Sequence, residues 1–595
     1  MNTGLDRKRG CSWIPGLGLR PRPERRSSGA YCAALILAFF ALLPPARAEA
    51  PFPPAQAAVA QHAMVVSQEK RATHIGLEVL HGGGNAVDAA VAVAFALAVT
   101  HPQAGNLGGG GFMLVRLADG TATAIDYRET APRAATRDMF LDRNGEYDPK
   151  KSRDSGLATG VPGTVAGLAL ALEQYGSGRF KLSDLIAPAI ALAREGILVE
   201  DELADSLPRA APRLARFPAS AKIFLKPDGA PLAAGDRLVQ SDLARALETI
   251  ARDGPRAFYQ GEIAQKIVDS VGNAGGILSR EDLQDYRALE RVPLRGSYRG
   301  YEVICVPPPS SGGVHLIEML NILEGYALEG LSARSPAALH LMIEAMKRAY
   351  ADRAQFLGDA DQVGVPVERL ISKSHAAGLR ATIDPAHATP ALALRPDTSR
   401  AHEGDHTTHF SVIDRFGNAV ANTYTLNFNY GLGLVADGTG ILLNNELDDF
   451  SAKPGAPNAF GLVGGEANAP GPGKRPLSSM SPTIVLADGK PWLITGSPGG
   501  SRIITIVLQV ILDVIDFHQN LAQAVSAPRV HDQWLPDVVA AETGFSEDTI
   551  RQLEALGHTI HVGGTWGSAN SILVAPDAIA GAADPRTRGA AAEGE

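Results

Sequence analysis

An almost uninterrupted run of apolar positions predicts a helix near the start of the folded part of the chain. In "NAVDAAVAVAFALAVTHP" the residues between Asn85 and Pro102 are apolar on nearly every side of a helix, not on one stripe. Asn85 is a favourable N-cap, and the helix is expected to end before Pro102. Because the run is shorter than the roughly 20 residues that a membrane span needs, it predicts a buried central helix.

A different pattern, alternation between apolar and polar positions, predicts a β-hairpin at residues 408–427. "THFSVID" alternates as a strand does, "RFGN" supplies the turn, and "AVANTYTLN" is a second strand rich in β-branched residues. The preceding segment, Asp384 to His406, has prolines, small residues and charges but no apolar period, which predicts an exposed, mobile stretch. Thr407 and Thr408 are therefore expected at the junction between a mobile segment and a strand.

The first 48 residues predict an export signal. A basic start is followed by the apolar run "AALILAFFALL" and by Ala46-Arg47-Ala48, which fits a cleavage site of the A-x-A type. The mature chain would begin at Glu49 and be exported, to the periplasm or the medium, with no membrane span.

Composition narrows the class of protein. The 595 residues are 45% hydrophobic and 20% charged, as in ordinary globular proteins. Residues 1–48 carry eight Lys or Arg and two acidic residues, so their removal takes the formal net charge from −9 to −15. Such a charge gives no electrostatic basis for binding nucleic acid. Cys305 is the one cysteine after residue 48, so no internal disulfide is expected.

Residues 402–406 match the H-E-x-x-H pattern of zinc peptidases. That pattern places two zinc ligands, here His402 and His406, one turn apart on a helix, and His409 is conceivable as a third ligand. Gly404 and Asp405 lie between the two histidines and strand-forming threonines follow, so a helix is not expected there. We predict no metal site, and an exported zinc peptidase is kept as an alternative.

The two threonines offer a second kind of chemistry. A threonine hydroxyl is a poor nucleophile without an adjacent base, and the α-amine of an N-terminal threonine can serve as that base. An α-amine has a pKa of about 7.7 to 8.0, so part of it is free base near neutral pH. A threonine inside the chain can act in this way only after the peptide bond before it is cut.

"TTHFSVIDRFGNAVANTYTLNFNYG" resembles the signature of the γ-glutamyltransferase family, whose members are N-terminal-nucleophile hydrolases. Further blocks resemble the family in the same order: "HPQAGNLGGGGFM", "DYRETAPRAATRDMF", "PPPSSGGVH", "LLNNELDDFS", "KRPLSSMSPTIV" and "GSPGGSRIITIV". The resemblance implies an α+β fold, a four-layer αββα sandwich, made from one precursor. It also implies a large subunit, residues 49–406, and a small subunit, residues 407–595.

The resemblance also implies roles at the reacting bond. Thr407 would attack the carbonyl of His406, cut the precursor and become the catalytic nucleophile. Thr425 would hydrogen-bond Thr407, and the backbone N–H groups of Gly499 and Gly500 would form the oxyanion hole. At position 406 relatives often carry a smaller or amide side chain in place of histidine.

A γ-glutamyl group presents an α-carboxylate and an α-ammonium, and the resemblance assigns residues to each. Arg128 would pair with the carboxylate through its planar fork, and Ser478 and Ser479 would add hydrogen bonds. The ammonium would be held by acceptors and negative charge, from Asn427, Glu446 and Asp449. Phe460 would lie in a lid loop where a tyrosine is expected, so an aromatic cover would remain without a phenol hydrogen bond.

The implied reaction is acyl transfer. The γ-glutamyl group of glutathione or another γ-glutamyl amide would pass to Thr407 as an ester and then to water, an amino acid or a peptide, without a cofactor. A related cephalosporin or glutaryl acylase is the nearest alternative, because it shares the nucleophile. A noncatalytic binding protein that kept the fold is another.

Overall fold

The computed structural model describes residues 54–394 and 407–595. The predicted export signal, His402 and His406 lie outside the described residues. In chain order the strands are β1 Ala58–Ala60, β2 Met64–Ser67, β3 Gly110–Arg116, β4 Ala122–Asp126, β5 Ile197–Leu198, β6 Arg237–Leu238, β7 Leu289–Arg291, β8 Leu294–Tyr298, β9 Tyr301–Cys305, β10 Thr408–Ile413, β11 Ala419–Thr425, β12 Val435–Ala436, β13 Ile441–Leu442, β14 Thr483–Ala487, β15 Lys490–Thr495, β16 Val530–His531, β17 Val539–Glu542, β18 Ile560–Gly563, β19 Ser571–Val574, β20 Ile579–Ala582 and β21 Ala591–Gly594.

The helices flank these strands. In chain order they are α1 Lys70–His81, α2 Ala86–Thr100, α3 Pro149–Arg153, α4 Thr164–Tyr175, α5 Leu182–Glu195, α6 Asp201–Leu214, α7 Pro218–Phe224, α8 Ser241–Asp253, α9 Arg256–Gln260, α10 Glu262–Asn273, α11 Arg280–Asp285, α12 Gly312–Leu323, α13 Pro336–Phe356, α14 Val367–Leu370, α15 Lys373–Arg380, α16 Ala391–Leu394, α17 Ile503–Ile515, α18 Leu521–Ser526 and α19 Glu547–Ala555. None of the helices in the described ranges is long and apolar enough to cross a bilayer.

The predicted central helix is α2. Asn85 caps it by accepting from the backbone N–H groups of Val87 and Asp88, while the Asp88 side chain accepts from the Asn85 N–H. Every residue of α2 is buried. The helix therefore lies inside the molecule, as its apolar surface requires.

Two sheets of seven strands each organise the described part of the chain. One has the spatial order β1-β20-β19-β15-β14-β9-β8, and the other β21-β2-β10-β11-β3-β4-β7. Each sheet combines strands that precede Thr407 with strands that follow it. The last strand, β21, pairs antiparallel with β2, so the C-terminus lies beside the first strands of the fold.

Alternate residues of the second sheet face two different cores. Phe112 and Leu114 of β3 belong to a core shared with the first sheet and with α12, α13 and α17. Met113 and Val115 belong to a core shared with α1 and α2. Because strand side chains alternate between faces, the layers run helix, sheet, sheet, helix. The predicted α+β, four-layer αββα fold is confirmed.

The predicted hairpin is formed by β10 and β11, antiparallel, with Thr408 opposite Tyr424. Both strands are buried along their whole length, since β10 also pairs with β2 and β11 with β3. The hairpin thus occupies the middle of the second sheet. Cys305 ends β9 as a buried free thiol.

Residues 384–394, part of the stretch predicted to be exposed and mobile, are mostly exposed but are joined to the fold by hydrogen bonds. Ala391 is buried, its N–H donates to Asp537 Oδ2 at 2.7 Å, and its carbonyl accepts from Trp534 Nε1 at 2.9 Å. The Thr389 carbonyl accepts from Lys347 Nζ at 2.8 Å. These partners lie far away in the sequence, so the local absence of an apolar period did not reveal them.

Candidate active site

Thr407 stands immediately before β10 at the open end of the central hairpin. The register that sets Thr408 opposite Tyr424 places Thr407, one residue outward, opposite Thr425, the last residue of β11. Thr407 is 7% exposed and Thr425 3% exposed. The strand pairing of a buried sheet therefore holds these two hydroxyl residues side by side.

A pocket with about 290 Å³ of empty space opens at Thr407. Ten of the predicted site residues line it: Arg128, Thr407, Thr425, Asn427, Glu446, Asp449, Phe460, Ser478, Ser479 and Gly500. Gly499 lines an adjoining cleft that also includes Thr407. The structure thus gathers residues that are spread over more than half of the chain, although His406 lies outside the described residues.

Arg128, two residues after β4, is the charged centre of the pocket. Its side chain is fully buried, and its Nε donates to the Pro476 carbonyl at 3.1 Å. Its Nη1 donates to Glu446 Oε1, and its Nη2 donates to Asp449 Oδ2 at 2.5 Å. The guanidinium predicted to bind a carboxylate is therefore ion-paired with the two carboxylates predicted to bind an ammonium.

The electrostatics of this cluster are those of buried charges that neutralise one another. Burial would lower the pKa of Arg128, but the carboxylates of Glu446 and Asp449 outweigh burial and hold that pKa above its usual value. Burial raises the pKa of both Glu446 and Asp449, and Arg128 opposes the rise. The site is accordingly able to exchange ion pairs with a zwitterionic ligand.

Glu129 adds a third carboxyl group that the sequence analysis did not single out. It is fully buried, and its nearest oxygen lies 3.8 Å from Arg128 Nη1. Neither carboxyl oxygen has a hydrogen-bond partner among the described residues. Burial raises the pKa of Glu129 to about 8, so the group is largely protonated at neutral pH. Its place beside Arg128 in "DYRET" is the one sequence signal that pointed to it.

One side of the pocket is built on three serines, Ser311, Ser478 and Ser479, which we call the serine wall. It joins two distant segments that are rich in glycine and proline. The N–H and the hydroxyl of Ser311 both donate to the Ser478 carbonyl, at 2.8 and 2.7 Å. Arg353, near the end of α13, donates from Nε to Ser311 Oγ at 3.0 Å and from Nη2 to Ser479 Oγ at 3.2 Å. Burial lowers the pKa of Arg353 to about 10, which still leaves it a cation at neutral pH. No motif in the sequence pointed to this residue.

Asn427 and the two glycines have backbone conformations suited to a crowded site. Asn427 has a φ of 76°, and its side-chain amide donates to the Asn445 carbonyl at 2.9 Å. Gly499 has a φ of 139° and Gly500 a φ of 54°, conformations that L side chains rarely adopt. Gly500 begins a 3₁₀ turn, Gly500–Arg502, that leads directly into α17. The N-terminus of α17 therefore lies at the same pocket as Thr407, and a helix N-terminus favours negative charge.

Phe460 lines the pocket and is 5% exposed. Its ring meets Phe428 edge to face, with 6.1 Å between ring centroids. Its N–H donates to Asn458 Oδ1 at 2.9 Å, and Asn458 Nδ2 donates to Asp449 Oδ1 at 3.2 Å. The segment that carries Phe460 is therefore hydrogen-bonded to the charged cluster through Asn458.

His409 bears on the metal alternative, since it was the conceivable third zinc ligand. Its Nδ1 lies 2.8 Å from Thr423 Oγ1 and its Nε2 lies 3.1 Å from Ser411 Oγ, so both ring nitrogens have hydrogen-bond partners. Burial lowers the pKa of His409 to about 3, which keeps the ring neutral. His409 is a core residue of β10.

A hydroxyl at the end of a buried strand, glycine N–H groups at a helix N-terminus and a charged pocket together suit acyl transfer from a zwitterionic donor. The fold and the site define the class of N-terminal-nucleophile hydrolases. The family profile described as Gamma-glutamyltranspeptidase matches residues 72–594, and the chain belongs to that family.

Three comparisons place the chain within this group. It is 53% identical over 529 residues to the glutathione hydrolase proenzyme of Escherichia coli (strain K12), covering 89% of this chain and 91% of that protein. The crystal structure of a cephalosporin acylase from Bacillus halodurans matches with a TM-score of 0.80 at 28% identity, covering 93% of this chain and 99% of that one. The crystal structure of Helicobacter pylori gamma-glutamyltranspeptidase matches with a TM-score of 0.54 at 47% identity, covering 56% of this chain and 95% of that one.

Proposed function

We propose that the protein is a γ-glutamyltransferase and glutathione hydrolase. It takes the γ-glutamyl group of glutathione and other γ-glutamyl amides and passes it to water or to amino acids and peptides. The observation that carries the proposal is the buried pocket in which Thr407 and the Arg128 ion cluster lie together. The 53% identity to a glutathione hydrolase proenzyme, over 89% of the chain, supports it.

Maturation comes first in the proposed sequence. The Thr407 hydroxyl attacks the carbonyl carbon of His406, the peptide nitrogen of Thr407 is released as the ester forms, and water hydrolyses that ester. His406 keeps a carboxylate, and Thr407 gains a free α-amine. The products are a large subunit ending at His406 and a small subunit of residues 407–595.

Turnover then uses the same hydroxyl. The α-amine of Thr407 accepts the hydroxyl proton as the oxygen attacks the γ-carbonyl of the donor, and the proton passes to the departing amine. Backbone N–H groups of Gly499 and Gly500 stabilise the oxyanion, and Thr425 holds Thr407 in place. Water or an acceptor amine then releases the γ-glutamyl group from the ester.

Donor binding follows from the ion cluster. The α-carboxylate of the donor pairs with Arg128 and hydrogen-bonds Ser478 and Ser479, while its α-ammonium takes Asn427, Glu446 and Asp449 as acceptors. In this exchange the donor replaces ion pairs that the pocket already makes, so no charge is left buried without a partner. Phe460 closes over the site as an aromatic lid.

The nearest alternative is an acylase on the same fold. Identity to the acylases is lower than the 53% to the glutathione hydrolase proenzyme: 40% over 534 residues for the acylase ACY 1 proenzyme of Pseudomonas sp. (strain SE83), and 28% for the cephalosporin acylase. A pocket with Arg128, Glu446 and Asp449 fits an amino-acid head group better than an acyl chain that lacks an ammonium. Export to the periplasm or the medium, directed by residues 1–48, is part of the proposal.

The test is intact mass and N-terminal sequencing of protein expressed without residues 1–48, beside Thr407→Ala. The expected result is two chains, with the smaller one beginning at Thr407, and a single chain in the variant. Hydrolysis of a γ-glutamyl anilide, compared with hydrolysis of a glutaryl anilide, then separates the transferase from the acylase. A wild-type chain that stays whole while binding glutamate would favour a noncatalytic binding protein instead.

A further inference from the structure

Three helices bring a histidine and two carboxylates together behind the serine wall, outside the pocket. Glu318 lies on α12, Asp352 on α13 and His375 on α15. His375 Nε2 is 2.7 Å from Asp352 Oδ2 and 3.4 Å from Glu318 Oε1. One ligand atom from each of the three residues lies within 4.8 Å of the other two.

The burial of this cluster is graded from inside to outside. Glu318 is completely buried, and Asp352 is 3% exposed. The His375 side chain is 18% exposed, so solvent reaches the cluster from that side. A small solute therefore has an entry route that does not pass through the Thr407 pocket.

The two carboxyl oxygens of Glu318 have different partners. Its Oε2 lies 2.8 Å from Nδ1 of His315, which is buried on the same helix. Its Oε1 faces the cluster, where it forms a long ion pair with His375 Nε2 at 3.4 Å. The carboxylates of Glu318 and Asp352 therefore share one imidazole partner, and a divalent cation between them would neutralise both. The His315 contact fixes the carboxylate in the way that outer-shell partners orient metal ligands.

We propose that Glu318, Asp352 and His375 form a binding site for a divalent first-row transition cation such as Mn²⁺ or Zn²⁺. One imidazole nitrogen and two carboxylate oxygens are ligands that these ions accept, at about 2.0 to 2.2 Å from the metal. A slight closure of the cluster brings the three atoms to those distances. Water entering beside His375 completes the coordination.

A second cluster of groups that could bind a metal is formed by His340, Glu344 and His558. We do not expect it to bind a cation, because its carboxylate is already paired. Glu344 Oε2 already accepts from Arg348 Nη1 at 2.6 Å, and Glu344 Oε1 accepts from the Thr389 N–H at 2.9 Å. A buried guanidinium thus neutralises the one carboxylate of that cluster and repels a cation. The second cluster fastens residues 384–389 to the fold and is a control for the first.

The proposed cation site is independent of the proposed function. Asp352 is followed directly by Arg353, which points in a different direction from the helix and contacts Ser311 and Ser479. A cation at Asp352 would tie α12, α13 and α15 together behind the serine wall. Its first effect is therefore on stability and not on the chemistry at Thr407.

The experiment uses the purified protein stripped with EDTA and returned to chelator-free buffer. Titration with Mn²⁺, followed by electron paramagnetic resonance, and with Zn²⁺, followed by calorimetry, measures the number of ions bound and the affinity. We expect one ion per protein and a rise in Tm that depends on ion concentration. His375→Ala and Glu318→Gln should abolish both signals, whereas His558→Ala should retain them.

His375 is partly exposed, so His375→Ala is expected to fold even if Glu318→Gln does not, and circular dichroism checks both. If the stripped wild type binds neither Mn²⁺ nor Zn²⁺ at concentrations up to about 1 mM, the proposal is overturned. The three residues would then form only a hydrogen-bonded triad in the core. Stoichiometric binding that survives His375→Ala, or that is lost in His558→Ala, would overturn it as well.

Discussion

The Arg353 guanidinium donates to the Ser479 hydroxyl at 3.2 Å, so a second buried cation stands behind the wall of the Arg128 pocket. It does not line the pocket itself, which makes Arg353 a positioning residue acting through Ser311 and Ser479. Its positive charge also lies close enough to Asp449 and Arg128 for each to influence its pKa.

The first prediction concerns this residue. Arg353→Gln should mature normally but lose roughly 10- to 100-fold in kcat/KM for a γ-glutamyl donor, as expected for losing charge-assisted hydrogen bonds worth about 1.5 to 3 kcal/mol. The loss should lie mainly in KM, because Ser479 is expected to bind the donor carboxylate. Arg353→Lys, which keeps the charge, should recover part of it. Steady-state kinetics of both variants decide the point, and equal losses in the two would argue for a purely structural role.

Thr425 gives a second prediction, on positioning of the nucleophile. Its hydroxyl accepts from the Asn427 N–H at 2.9 Å, and the residue lies opposite Thr407. Thr425→Val keeps the shape and removes the hydroxyl, so maturation should slow and kcat should fall by at least tenfold while KM changes little. The appearance of two chains over time on a denaturing gel, with kinetics of the matured fraction, measures both effects. Thr249→Val, at a partly exposed position of α8 where the hydroxyl donates only to the Arg245 carbonyl of its own helix, is the control.

The third prediction is a pH dependence. Burial raises the folded-state pKa of Glu129 to about 8 from a usual value near 4.5, so the folded protein holds a proton that the unfolded chain releases. The contribution to stability is therefore complete below about pH 4.5 and is lost as the pH rises through about 8. Glu129→Gln mimics the protonated acid and should flatten the fall in Tm between these values. Glu281→Gln, at an exposed position, should leave the wild-type profile unchanged, and matching profiles for all three proteins would contradict the prediction.

Phe460 gives the fourth prediction. Phe460→Ala removes the ring that packs on Phe428 and opens the pocket to water. The ratio of hydrolysis to transfer should rise, and KM for the donor should increase severalfold. Phe460→Leu keeps an apolar side chain over the pocket, so its ratio of hydrolysis to transfer should lie between those of the wild type and Phe460→Ala. Product analysis with glycylglycine as acceptor measures the ratio, and an unchanged ratio in Phe460→Ala would mean that the ring does not act as a lid.

Local pattern was sufficient for the parts of the fold whose partners lie nearby. The cap at Asn85, the apolar surface of α2 and the β10–β11 hairpin are all encoded within about twenty residues each. The family resemblance supplied the pocket residues, and the structure brings ten of them together.

What the sequence could not provide are relationships between distant residues. Arg353 lies in α13, nearly all of which is buried, so neither periodicity nor exposure distinguishes it. The pairing of Arg128 with Glu446 and Asp449 depends on contacts across more than 300 residues. Residues 384–394 show the same limit, since the hydrogen bonds of this mostly exposed segment to Trp534 and Asp537 span more than 140 residues.

The mixed origin of the two sheets has a consequence for the lifetime of the protein. One sheet contains β2, β3, β4 and β7, which precede Thr407, together with β10, β11 and β21, which follow it. If the chain is cut before Thr407, refolding is no longer a reaction of one chain. It becomes bimolecular, because the two fragments must first meet. Denaturation of the cut form would then be effectively one-way, and its endurance would be governed by the height of the unfolding barrier rather than by an equilibrium.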